Sequence, residues 1–129
     1  MKYEQISNEI IRVFYNVYNT LGYGFLEKVY EEAMIVEFKE KGIEYKNQCP
    51  IKVFYKNVEI GSYVADFIIE DKIIIEIKAI RELSIQDTSQ LLNYLTSTDK
   101  EVGLLLNYGE NPEIKRKVYD NNLKQYKIK

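Results

Sequence analysis

The stretch that decides the fold is IIIEIKA, residues 73–79, an isoleucine-rich run that carries Glu76 and Lys78. Successive side chains of a strand point to opposite faces, so Glu76 and Lys78 share one face with Ile74. The other isoleucines and Ala79 occupy the opposite face. Burying either charge without a partner would cost several kcal/mol. The charged face is therefore either solvated or functional.

A second acid, Asp66, interrupts the apolar run 63–69 on the preceding strand. The connection Glu70-Asp71-Lys72 lacks the Asn-Gly or Gly-Gly pair of a tight two-residue turn. A two-residue turn would put Asp66 and Glu76 on opposite faces, whereas a three-residue connection or a bulge puts both acids on one face. We therefore predict an odd-length connection and a site shared by the two carboxylates.

The rest of the chain predicts one α/β domain over residues 1–129. Apolar periodicity predicts helices at about 5–21, 25–41 and 84–98. Period-two alternation predicts an antiparallel meander from about 51 to 79, and the run 102–106 predicts a strand buried on both faces. Asn111-Pro112-Glu113 has the cap, proline and acid of a helix start. It predicts a helix to about Tyr119, followed by an edge strand at 123–128.

Composition excludes several classes of protein. With 46% hydrophobic and 29% charged residues, the chain has a globular rather than a disordered composition. It contains no apolar run of membrane-spanning length, and its N-terminus lacks the apolar segment of a signal peptide. The one cysteine, Cys49, excludes an internal disulfide. A cytoplasmic protein without a membrane span is expected.

The charge distribution is uneven. The net charge of -2 argues against a generic nucleic-acid binder. Residues 111–129, however, contain six Lys or Arg against Glu113 and Asp120, a net charge of +4. This basic segment is either a phosphate-contacting edge or a solvated helix and tail.

The chemistry of a shared carboxylate site follows from the residues present. The chain has no histidine, so a metal site would use oxygen ligands and favour Mg²⁺, Mn²⁺ or Ca²⁺. Two carboxylates with a backbone carbonyl suit Mg²⁺, which stabilises charge on a phosphate and acidifies bound water. Lys78 would orient that water or neutralise developing charge. This set is what metal-assisted phosphodiester hydrolysis needs; the alternative is an ordinary strand with a solvated face.

Two motifs resemble known families. Asp66 followed by Glu76-Ile77-Lys78 resembles the D-x(n)-E-x-K signature of the PD-(D/E)XK nuclease superfamily. LGYGFLEKVYEEA, residues 21–33, resembles the small bacterial and archaeal proteins named for the GxxExxY motif, with Gly24, Glu27 and Tyr30 at the named positions. Further similar segments are QCP at 48–50, GSYVAD at 61–66, QLLNYL at 90–95 and VGLLLNYG at 102–109.

The resemblance implies an α/β, restriction-endonuclease-like core, a mixed sheet flanked by helices. It also implies an Mg²⁺- or Mn²⁺-dependent nuclease that acts on DNA. The implied catalytic residues are Asp66, Glu76, Lys78, Glu27 and Gln90, and the implied metal ligands are Asp66, Glu76, Ile77 and Glu27. Without the resemblance, Glu27 would be read as an exposed helix acid and Gln90 as a surface amide.

Tyr94 lies four residues after Gln90, so the two would share a helix face, as in the Gln-xxx-Tyr motif of exonuclease-like members. Two departures from the family stand out. Tyr23 replaces a common proline, and Asp87 replaces a common histidine, where it could add a metal ligand.

The resemblance leaves a second class of function open, a non-catalytic nucleic-acid-binding or protein-interaction module on the same fold. A nuclease this small has little room for a recognition domain. It is therefore expected to select DNA structure or to use a protein partner that supplies specificity. A homodimer would suit an enzyme that cuts two strands.

Overall fold

Five strands form one mixed sheet in the computed structural model, which describes residues 2–124. They are β1 (Tyr45–Tyr55), β2 (Val58–Ile69), β3 (Ile73–Lys78), β4 (Val102–Asn107) and β5 (Glu113–Val118). Their order in the sheet is their order in the chain. β3 and β4 run parallel, and the other neighbours are antiparallel. The helices are α1 (Glu4–Leu21), α2 (Glu27–Lys41) and α3 (Ile85–Thr96). The expected mixed sheet with flanking helices is confirmed.

The sheet separates two apolar cores. On one side, Ile73, Ile75 and Ile77 of β3 pack with buried residues of α1 and α2. On the other side, Ile74 packs with Leu91 and further buried residues of α3. This division confirms the alternation predicted for residues 73–79. No helix among residues 2–124 is both long and apolar enough to cross a membrane.

The β2–β3 connection has the odd length that the sequence predicts. Ile69 pairs with Ile73, which leaves three residues between the strands. Glu70 and Asp71 both have positive φ angles, 53° and 57°, and the Lys72 N–H donates to the Ile69 carbonyl at 2.9 Å. A left-handed pair closed by this bond gives a turn that matches strand twist. The third connecting residue shifts the β2–β3 pairing by one residue relative to a two-residue turn.

β1 and β2 change faces partway along their length. Phe67 packs in the α1/α2 core, whereas Ala65, two residues earlier, packs in the α3 core with its partner Cys49. Both pairs, 47 with 67 and 49 with 65, keep one register. Gln48, between them on β1, has a φ of 54°, outside the extended region. The departure from extended geometry at Gln48 accompanies the change of face.

The end of the chain corrects the sequence analysis. Residues 113–118 form strand β5, not a helix, and pair antiparallel with β4 from Asn107 opposite Glu113 to Val102 opposite Val118. Pairing satisfies the backbone groups on the open edge of β4, which a helix would leave unpaired. A strand was also predicted at 123–128. Its first residue, Leu123, ends the 3₁₀ turn Asn121–Leu123, and residues 125–128 lie outside the described part of the chain.

Candidate active site

The β2–β3 hairpin brings the two predicted acids together. One step beyond the pair of Phe67 with Ile75, the same register places Asp66 opposite Glu76. The Asp66 N–H donates to Glu76 Oε1 at 3.1 Å, and the Ile77 N–H donates to Asp66 Oδ2 at 2.7 Å. Each carboxylate thus accepts a backbone N–H from the opposite strand. The hairpin forms the shared carboxylate site that its odd length predicts.

Burial makes ionisation of this pair unfavourable. Glu76 is 8% exposed, and its pKa is raised to about 8, first by burial and then by the charge of Asp66. Burial also raises the pKa of Asp66, although the Ile77 N–H opposes the shift. A buried and a half-buried carboxyl group this close resist carrying two negative charges without a cation.

Glu27 and Lys78 share the electrostatic environment of the pair. Glu27 is the first residue of α2, and partial burial of its carboxyl group raises its pKa, with the charges of Asp66 and Glu31 adding to the shift. The positive charge of Lys78 opposes the pKa shifts of Glu27, Asp66 and Glu76. The charges of these four predicted residues therefore act on one another.

A hydrogen-bond network that the sequence analysis did not identify runs from buried Glu31 to exposed Gln48 and orients Asp66. Glu31 is 6% exposed and accepts hydrogen bonds from the side-chain amides of Asn47, at 2.8 Å, and Gln48. Gln48 Nε2 also donates to Asp66 Oδ1 at 3.3 Å. Both oxygens of Asp66 are therefore held, one by Gln48 and one by the Ile77 N–H. The spacing of Glu31 four residues after Glu27, on the same face of a helix, was the available signal.

On α3, the residue whose pKa responds to the charges of the carboxylates is Tyr94. Tyr94 is 3% exposed, and its pKa is raised to about 12 by burial and by the charges of Glu76 and Asp66. Gln90 is half-buried one turn earlier and, among the described residues, makes no hydrogen bond to either acid. Asp87 caps the helix, accepting from the Ser84 N–H and hydroxyl at 2.8 and 2.9 Å. Both hydrogen bonds reach Asp87 Oδ2, so the capping role uses that one oxygen of the carboxylate.

Tyr30 anchors the loop that leads into Glu27. Its ring is buried and stacks on Tyr108 with centroids 4.2 Å apart. Its hydroxyl donates to the Gly22 carbonyl at 2.6 Å and accepts the Phe25 N–H at 3.3 Å. Gly24, within the loop, has a φ of 109°, which side-chain-bearing residues rarely adopt. The glycine and the tyrosine of the GxxExxY pattern thus shape the loop before Glu27.

The donor set fits a divalent cation in its chemistry. All its side-chain donors are carboxylate oxygens. Burial and mutual repulsion raise their pKa values, and a cation would offset the cost of both by neutralising the negative charges. Within residues 2–124, no three acid or cysteine side chains are already gathered around one point. Mg²⁺ often needs only one or two carboxylates, since water completes its shell. The pair of Asp66 and Glu76 meets that requirement.

Comparisons with known proteins agree with this architecture. The family model described as the PD-(D/E)XK nuclease superfamily matches residues 4–117. Among solved structures, the fold is similar to an alkaline exonuclease (LHK-Exo) from Laribacter hongkongensis, with a TM-score of 0.53 and 12% sequence identity. The similarity covers 95% of this chain and 74% of the exonuclease. No curated protein matches the sequence significantly.

Proposed function

This chain belongs to the PD-(D/E)XK nuclease superfamily, and from that premise we propose that it is an Mg²⁺- or Mn²⁺-dependent nuclease that hydrolyses phosphodiester bonds in DNA. The observation that carries the proposal is the pairing of Asp66 with Glu76 across the hairpin, beside Lys78. PD-(D/E)XK nucleases typically use divalent metals, and the fold is that of a restriction-endonuclease-like core.

In this proposal, Asp66, Glu76 and the backbone of Ile77 hold the cation, and Glu27 assists from α2. The bound cation would withdraw charge from the scissile phosphate and make an attacking water more acidic. Gln48 and the Ile77 N–H keep the Asp66 carboxylate in one orientation, so little reorganisation is needed when the cation binds.

Lys78 acts on the phosphate side of the site. Its ammonium lies on the same strand face as Glu76, two residues along β3, where it can orient the water or balance negative charge in the transition state. In this proposal, Gln90 assists from α3, one turn before Tyr94 on the same helix face. A catalytic contribution of Gln90 belongs to the proposal.

The proposal extends to the finer assignments. The loop before Glu27 contains Gly24 and is held by the hydroxyl of Tyr30 on α2. This arrangement supports membership of the GxxExxY family. We assign the chain as one cytoplasmic domain over residues 1–129. It would reach specificity through DNA structure or a protein partner, and a homodimer would suit cleavage of both strands. Sedimentation velocity tests the dimer.

A nuclease assay with Mg²⁺ or Mn²⁺ on single-stranded, duplex and branched DNA tests the assignment. We expect cleavage that falls by roughly 100-fold or more in Lys78→Ala and in Asp66→Ala. Lys39→Ala is the matched control because Lys39 is exposed on α2, about three turns beyond Glu27. Cleavage that Lys78→Ala and Asp66→Ala leave unchanged would refute the assignment. Nucleic-acid binding without cleavage under any condition would favour the non-catalytic module.

A further inference from the structure

The tip of the β1–β2 hairpin exposes apolar side chains on both of its faces. We call residues 52–64 the hairpin arm. Six of its large apolar residues are between 39% and 64% exposed: Phe54, Tyr55, Val58, Ile60, Tyr63 and Val64. The charged residues of the arm are Lys52, Lys56 and Glu59, so its net charge is positive on a chain of net charge -2. A concentration of exposed apolar residues of this kind marks an interaction surface.

Tyr63 connects the hairpin arm to the candidate active site. Its ring is 39% exposed and packs against the ring of Tyr94, with centroids 5.4 Å apart and planes tilted by 48°. Tyr94 in turn packs in the α3 core with Ala65, the neighbour of Asp66, and with Ile74, which shares a strand face with Glu76. An aromatic path therefore runs from the carboxylates to the exposed ring of Tyr63. The change of face at Gln48 is what turns Tyr63 toward α3.

The outer edge of the arm is unsuited to strand pairing with a second copy of the chain. β1 is an edge strand, and it contains Pro50, which has no N–H to donate. The exposed side chain of Lys52 follows, and a bulge lies between Val53 and Phe54. Lysine, proline and bulges are the devices by which edge strands avoid pairing with other chains.

We propose that the hairpin arm binds unpaired DNA, with Tyr63 stacking on a base of the strand whose phosphate lies at Asp66 and Glu76. This inference rests on the proposed nuclease function and narrows its substrate class to DNA with a single-stranded segment. An aromatic ring stacks on any base, but only an unpaired base leaves its faces free. Phosphates of the same strand would contact Lys52, which pairs with Glu59 at 3.6 Å, and Lys56, whose ammonium lies over the Tyr55 ring.

Binding without metal separates this inference from hydrolysis. Fluorescence anisotropy in EDTA would compare a labelled oligothymidylate with a duplex of equal length. We expect tighter binding of the single strand, and Tyr63→Ala should weaken it by about 5- to 100-fold. Tyr63→Phe keeps the ring and should bind like the wild type. Tyr15→Ala is the matched control, since Tyr15 is also 39% exposed but lies on α1.

Circular dichroism and thermal unfolding would establish that each variant is folded. If Tyr63→Ala is not, Tyr63→Leu, which keeps apolar volume without an aromatic ring, replaces it and should show the same loss. Equal loss of single-strand and duplex binding in Tyr63→Ala, or no loss, overturns the inference. The inference is also overturned if the wild type is a dimer in sedimentation velocity and Ile60→Ser dissociates the dimer while single-strand binding persists. If single-strand binding depends on Tyr63 but no DNA is cleaved with metal, the hydrolytic function fails and the binding surface stands.

Discussion

Glu76 is the residue whose position most constrains the site. It is a buried carboxyl group in a run of isoleucines, and the shift of its pKa from 4.5 to about 8 has burial as its largest cause. Ionising it costs on the order of 5 kcal/mol relative to an exposed glutamate. A protein with no bound cation would keep this group protonated near neutral pH. A bound cation would offset the cost of ionising this group, and a buried carboxyl group with a strongly raised pKa is typical of functional sites.

The first prediction concerns the metal-free protein and Glu76. Its pKa is higher in the folded state than in the unfolded state, so the folded protein holds the proton more tightly. The resulting stability is fully present below about pH 4.5 and is lost as pH rises through about 8. In EDTA, the free energy of unfolding of the wild type should therefore fall between about pH 5 and pH 9 by more than that of Glu76→Gln.

Urea denaturation at a series of pH values measures this difference. The neutral glutamine of Glu76→Gln removes the titration while keeping the side-chain volume. Parallel curves for wild type and variant would contradict the raised pKa. Glu40→Gln, an exposed substitution on α2, should follow the wild type.

At the scale of elements, the loop before α2 places Glu27 at the site. Two hydrogen bonds of the Tyr30 hydroxyl tie Gly22 and Phe25 to the first turns of α2. The stacked ring of Tyr108 holds Tyr30 in turn. The loop therefore positions the start of the helix through packing, and its glycines permit backbone angles that other residues avoid.

The second prediction follows from Gly24. Its φ of 109° disfavours any side chain, so Gly24→Ala should lower the free energy of unfolding by about 1–3 kcal/mol. Gly61→Ala is the matched control, because Gly61 lies on β2 without a positive φ and an added Cβ would meet only Val53 at 3.9 Å. That control should be neutral or slightly stabilising. Equal effects in the two variants, measured by urea denaturation, would refute the argument.

Local patterns predicted most of these elements. The helices, the hairpins and the alternation of β3 follow from periodicity and turn chemistry, which act over a few residues. The register of Asp66 against Glu76 also followed from a local property, the length of the 70–72 connection. β5 did not follow, because Asn111-Pro112-Glu113 has a valid helix start and the competing interaction is with the edge of β4.

At the scale of the whole molecule, the site joins five elements. Glu31 comes from α2, Gln48 from β1, Asp66 from β2, Glu76 from β3 and Tyr94 from α3. A ligand that bridges such a site binds the folded chain and not the unfolded one. Its binding free energy therefore stabilises the whole fold.

The third prediction is that saturating Mg²⁺ or Mn²⁺ raises the Tm of the wild type, as followed by circular dichroism. Asp66→Asn should abolish the rise, since it removes a proposed ligand. Gln48→Ala should keep the rise but require about 10- to 100-fold more metal, because Gln48 orients Asp66. Asp99→Asn, an exposed acid outside the site, is the control. An identical metal response in Asp66→Asn and wild type would exclude a cation at this site.

The sequence by itself determined the positions of Asp66, Glu76 and Lys78 along neighbouring strands, and the odd turn that faces the two acids toward each other. The tertiary structure decided what surrounds them. The Glu31–Gln48 network, the face change at Gln48 and the contact of Tyr63 with Tyr94 join residues far apart in the chain. Local patterns cannot specify such contacts, because they depend on how the helices pack across the completed sheet.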